Sequence, residues 1–126
     1  MKIELDIADK DANKIQSYSE DSFKVKNNIY ASNIVISRDT LIDNWVSEGF
    51  KGFATQHLDQ IIQWQPEIII LGTGETIASP DPEMTAYVNT HQIGFEIMHT
   101  GAACRSYNVL IDEGRHVVAC LFLSSD

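Results

Sequence analysis

The first third of the chain alternates apolar and polar residues at the period of a β-strand. Ile3, Leu5 and Ile7 alternate with Glu4 and Asp6 across Lys2–Ala8. Lys14–Tyr18 is a shorter stretch of the same kind. Phe23–Lys26 alternates again and meets Asn27-Asn28, a pair that tolerates left-handed backbone and predicts a turn. Ile29–Ser37 follows, with Ile34-Val35-Ile36 at its apolar centre. These short strands predict a small antiparallel unit. Arg38–Phe53 loses the rhythm. Trp45 and Phe50 are apolar, Gly49 and Gly52 interrupt any helix, and a loop with one helical turn is expected.

From Thr55 the rhythm changes. Leu58, Ile61 and Ile62 share one face of a helix over Thr55–Trp64, with Thr55 as a candidate N-cap and Pro66 just past the end. Glu67–Leu71 is a continuous apolar run of strand length, the pattern of a strand covered on both faces. Gly72-Thr73-Gly74 ends it. Asp81 and Pro82 then fit the N-cap and first position of a helix with the stripe Met84, Tyr87 and Val88. Gly94 ends that helix and Phe95–Met98 is the next strand. Thr100–Asp112 is helical, with Gly114 as its stop, and His116–Leu123 is the last strand. The order β-α-β-α-β predicts right-handed crossovers and a mostly parallel sheet. The expectation is a single three-layer α/β domain over residues 1–126. Residues 1–53 form its strand-rich N-terminal part and 54–126 its β-α-β-α-β part.

Composition narrows the function classes. The 126 residues carry 18 acids against 9 Lys and Arg, a net charge of −9. That balance argues against a nucleic-acid partner, which needs clustered cations on phosphate, and against anionic lipid. Lys10, Lys14, Lys24 and Lys26 are interleaved with acids and read as a solvated face. No apolar run is long enough for a membrane span, so no direct membrane insertion is expected. The N-terminus lacks the basic start and apolar stretch of a secretory signal. A cytoplasmic location is therefore expected. In a reducing compartment Cys104 and Cys120 stay free. The histidines are scattered, and neither a metal nor a cofactor is expected.

Two loops are candidate chemistry. Gly72-Thr73-Gly74 sits at the carboxyl end of a buried strand, where open α/β sheets bind ligands. It lacks the third glycine of a dinucleotide fingerprint, since Ile77 stands there, and the Lys-Ser/Thr end of a phosphate loop. A tight strand-exit turn with close packing is the simpler reading. Thr100–Asn108 enters a helix from a strand end, so its free N–H groups point into the same crevice. Cys104 in the first turn, beside Arg105, has the setting of a lowered thiol pKa and of a nucleophile. His99 is the nearest candidate base. Against this, a small buried thiol in helix–sheet packing is the commoner arrangement. Glu96 lies between Phe95 and Ile97 and reads as a buried carboxylate, which must be paired. Arg105 is its obvious partner, with Glu113 as the other acid that Arg105 could pair with. A ligand carboxylate or phosphate is the sharper alternative for Arg105. Tyr107 and Asn108 would complete a polar pocket, Tyr107 equally a packing residue. Cys120, Trp45 and Trp64 read as packing residues, and His57, His91 and His116 carry no evident role.

The stretch from Pro66 to the end resembles one small family of unknown function found in bacteria and archaea. The resemblance rests on Pro66–Gly74, on Pro80 and Pro82, on Gly94-Phe95-Glu96-Ile97-Met98-His99-Thr100-Gly101-Ala102-Ala103-Cys104-Arg105-Ser106-Tyr107-Asn108-Val109-Leu110, and on Glu113-Gly114-Arg115. The mitochondrial member of that family is an assembly factor of NADH dehydrogenase (ubiquinone), complex I. The resemblance implies a three-layer α/β fold with a mixed sheet and, for the mitochondrial relative, a role in complex I assembly. It transfers no catalytic residue. His99 departs from the family pattern, where Asp is common.

The leading expectation is thus a non-enzymatic protein that acts by protein–protein binding, with membrane respiratory-complex subunits as candidate partners. The alternative is a small-molecule or anion-binding domain, or a thiol-dependent enzyme. Its crevice would be formed by Gly72–Gly74 and Thr100–Arg105.

Overall fold

The computed structural model describes residues 3–4 and 11–124. Strands β1 (Ile3–Glu4), β2 (Ser17–Tyr18), β3 (Phe23–Val25) and β4 (Asn28–Tyr30) form an antiparallel meander in sequence order. Apart from Ile3–Glu4, the expected strand Lys2–Ala8 lies outside the described residues. The β3–β4 turn is Lys26-Asn27, one residue earlier than the Asn27-Asn28 expected from sequence. Both residues have positive φ, 49° and 67°, and Val25 pairs with Asn28. This is the two-residue turn whose twist matches a hairpin.

The expected single strand Ile29–Ser37 is two strands in different sheets. Tyr30 ends β4, and β5 (Ile34–Ile36) begins the larger sheet. That sheet is completed by β6 (Leu41–Ile42), β7 (Ile68–Thr73), β8 (Gly94–Met98) and β9 (Val117–Phe122), in the order β6-β5-β9-β7-β8. The last three strands are parallel, as the β-α-β-α-β order requires. β5 and β6 add an antiparallel edge.

Three layers result. On one face lie α1 (Asp59–Gln63), α2 (Pro82–Thr90) and the 43–58 segment. Their apolar side chains pack on Ile69, Leu71, Val118, Cys120 and Phe122. Phe122 is the hub, with its ring 5.3 Å from Trp45, 5.3 Å from Phe50 and 5.4 Å from Phe53. On the other face lie α3 (Thr100–Asp112) and the small meander. Ile70, Ala119 and Leu121 there meet Ala103, Cys104, Tyr107, Phe23 and Val25. The strict alternation along β9 assigns its residues to the two faces in turn.

Helix starts follow local chemistry. Asp81 accepts from the Glu83 N–H at 3.0 Å, and Pro82 opens α2. Thr55 is not a cap. The segment begins with a tight turn over Thr55–Leu58 before α1, capped at Ala54, and His57 reaches back to that residue, its Nδ1 accepting from Ala54 N–H at 2.9 Å. At the lower end of the sheet the Glu67 carboxylate accepts from Arg115 Nε at 2.8 Å and from the His116 N–H at 2.9 Å. Those bonds hold its carboxyl below the usual range, the backbone donor contributing most.

Candidate functional site

The two loops singled out from sequence do converge. Gly74 and Thr100 bond reciprocally across the carboxyl ends of the strands. Thr100 N–H donates to Gly74 O at 2.8 Å, and Gly74 N–H donates to Thr100 Oγ1 at 2.7 Å. The same hydroxyl donates to Phe122 O at 2.6 Å, tying β9 into the junction. Thr73 shapes the loop beyond: its Oγ1 donates to Thr76 O at 2.8 Å and accepts from Ala78 N–H at 2.9 Å. Gly72 permits the close approach of α3. A Cβ there would lie 3.0 Å from Ala103 Cβ, Thr100 Cα and Thr100 Oγ1. Gly72 and Thr73 are buried at this close approach.

Beside this junction lies a crevice of about 300 Å³. Gly74, Glu75, His99, Thr100 and Gly101 line it from the sheet side, and Tyr18, Ser19 and Glu20 from the meander. The meander's share was not anticipated from sequence. His99 is the N-cap of α3, its Nδ1 accepting from Ala102 N–H at 3.2 Å. Gly101 leaves room for Tyr18. A Cβ at Gly101 would stand 2.8 Å from the Tyr18 hydroxyl. That hydroxyl accepts from Arg105 Nη1 at 2.8 Å.

The remaining residues of the signature run lie elsewhere. Cys104 faces the core and is fully buried. Burial pushes its thiol up to about 12, with Arg105 opposing weakly. This reverses the lowered pKa expected from its place in the sequence. Desolvation of the thiolate outweighs the helix terminus and the neighbouring cation, so the geometry gives no support to thiol chemistry. Cys120 is also buried and pushed up, on the opposite face of the sheet. Cys104 is expected to alkylate at pH 7 much more slowly than a free model thiol, at a rate that follows unfolding. Rapid labelling of the native protein would contradict its placement.

Glu96 is exposed, not buried. It sits on the edge strand, on the face opposite Phe95 and Ile97, so their apolar character gave a false sign of burial. Among the described residues it makes no ion pair with Arg105. Tyr107 and Asn108 are buried, and their polar atoms bond to backbone groups. The Tyr107 hydroxyl donates to Asn13 O at 2.7 Å, and burial raises its pKa. Asn108 accepts from Ile15 N–H at 2.9 Å and donates to Ile15 O at 3.0 Å. Both side chains clamp the segment 12–16 onto α3. Lys14, expected on a solvated face, is buried there with its Nζ 2.6 Å from Asp112 Oδ1. An alternating stretch with one Lys gave no sign of that pair.

The fold and these contacts can be compared with known proteins. Residues 15–122 match the family described as protein of unknown function, DUF498/DUF598. The chain belongs to this family. A "13 kDa major membrane protein" of Francisella tularensis is 36% identical over 67 residues, 53% of this chain and 54% of that protein. The NADH dehydrogenase [ubiquinone] 1 alpha subcomplex assembly factor 3 of Xenopus tropicalis is 23% identical over 109 residues, 85% of this chain and 59% of that one. The chain thus spans between half and two thirds of these curated relatives. A Mth938-like domain of Bordetella pertussis, solved by NMR, superposes with a TM-score of 0.79 at 23% identity. It covers 100% of this chain and 94% of its own, and so supports the mixed α/β architecture. Among the described residues no helix is long and apolar enough to cross a membrane.

Proposed function

We propose that the protein is a cytoplasmic binding domain that acts through contacts with other proteins and not by turning over a substrate. One observation carries this reading: the buried polar side chains of the Gly94–Asn108 run are engaged inside the fold. Thr100, Tyr107 and Asn108 each bond to backbone groups of other elements, and Cys104 is enclosed. What the domain offers a neighbour is therefore its surface. The name of the Xenopus tropicalis relative, an assembly factor, points the same way and makes membrane respiratory-complex subunits the first partners to seek.

The test is cross-linking in the native host at native expression, followed by quantitative mass spectrometry. Reproducible capture of specific proteins, retained in a Cys104→Ala variant, is expected. A protein recovered monodisperse and without partners would overturn the reading.

A further inference from the structure

Strand β8 ends the larger sheet, and among the described residues no strand pairs with its outer edge. The ladder decides which backbone groups that edge presents. Gly94 N–H donates to Glu67 O, next to β7. In a parallel strand each residue turns its N–H and C=O to the same side. Gly94, Glu96 and Met98 thus face β7, while Phe95 and Ile97 present their backbone groups outward.

The space above this edge is open. Helix α3 packs over β7 and β9 and barely reaches β8. A groove of about 390 Å³ remains. Ile68, Met98, Val109 and Leu110 wall it, with Glu96 and Arg105 as its charged groups. Val109 is 55% exposed. Arg105 already donates to Tyr18, whereas Glu96 has no hydrogen-bond or ion-pair partner among the described residues.

We propose that β8 and this groove dock an extended segment of a partner protein, which adds to the sheet as a further strand. Its alternate apolar side chains lie against Ile68, Met98 and Val109, and a Lys or Arg stands opposite Glu96. The proposal rests on the protein-binding reading above. Two physical terms select this occupant. An extended backbone is what satisfies the outward groups of Phe95 and Ile97. The charge term then separates partners. A second copy pairing antiparallel through the same groups would be centred on Glu96, placing one Glu96 against the other. Like charges directly opposed destabilise a strand pair, and a charge on an edge strand is a recognised guard against self-pairing. With −9 on each chain, two copies also repel at long range. A cationic segment meets the same carboxylate with the opposite sign.

The test uses two capped peptides of alternating valine and threonine, one with a central lysine and one with a central glutamate. Each is titrated into the isotope-labelled full chain and followed by NMR. The lysine peptide is expected to give saturable shifts at Phe95, Ile97 and Val109, binding roughly fivefold or more tightly than the glutamate peptide. Glu96→Lys, an exposed substitution, is expected to reverse that preference without lowering the melting temperature. No shift at β8 at millimolar peptide, or equal binding of both peptides, overturns the proposal. So does specific partner capture in cells that is unchanged by Glu96→Lys, which would leave the protein-binding reading standing.

Discussion

Replacing Asn108 by alanine is expected to lower the unfolding free energy by about 2–5 kcal/mol. The side chain is buried and makes two bonds, both to Ile15. It acts as a short piece of strand laid against a residue that lies outside both sheets. Alanine removes donor and acceptor together and leaves an N–H and a C=O unpaired in an apolar setting. Each such group costs about 1–3 kcal/mol. The loss spreads, because Ile15 directly follows Asn13, held by Tyr107, and the buried Lys14, paired with Asp112. Denaturant unfolding with an unchanged slope checks the magnitude, and the melting temperature should fall by on the order of 10 °C. Asn108→Asp keeps an acceptor for Ile15 N–H but sets a carboxylate against Ile15 O. It is expected to be at least as damaging. A variant with parental stability would show that Asn108 is free for another role.

Thr100→Val is the second large effect, expected at about 2–4 kcal/mol. Valine has the same shape, so packing is kept and the hydroxyl alone is tested. Its removal strands Gly74 N–H and Phe122 C=O, both at the carboxyl end of the sheet. Thr100→Ser retains the hydroxyl and should cost about 1 kcal/mol for the lost methyl group. The contrast between the two variants, measured by denaturant unfolding, isolates the bond network. Equal stability of Val and Ser variants would mean that the hydroxyl does not hold the junction.

The second half of the fold is legible because each signal there is unambiguous. A four-residue aliphatic run cannot be covered on one face only, and Asp81-Pro82 has a single helical use. The first half is less so. Nothing in the apolar count of Ile29–Ser37 says that the chain leaves one sheet at Tyr30 and enters another at Ile34. Position along a strand also differs from position in a sheet. Glu96 has the neighbours of a buried residue, yet β8 is an edge that α3 scarcely covers. The candidate site divides in the same way. Convergence of the Gly72–Gly74 and Thr100 loops follows from parallel strand order. The role of Tyr107 and Asn108 does not, because a hydroxyl and an amide serve a ligand or a distant backbone equally well. Their partners, Asn13 and Ile15, are about ninety residues away in sequence.

The central claim is that the buried polar side chains of the Gly94–Asn108 run, Thr100, Tyr107 and Asn108, build the scaffold and leave recognition to its exposed ones. Amide hydrogen exchange at Ile15 and Gly74 tests it most directly, since each N–H has a side chain of that run as its acceptor. Exchange nearly as slow as in the core strand β9 is the predicted result. Exchange at the rate of an open loop at either amide would contradict the account.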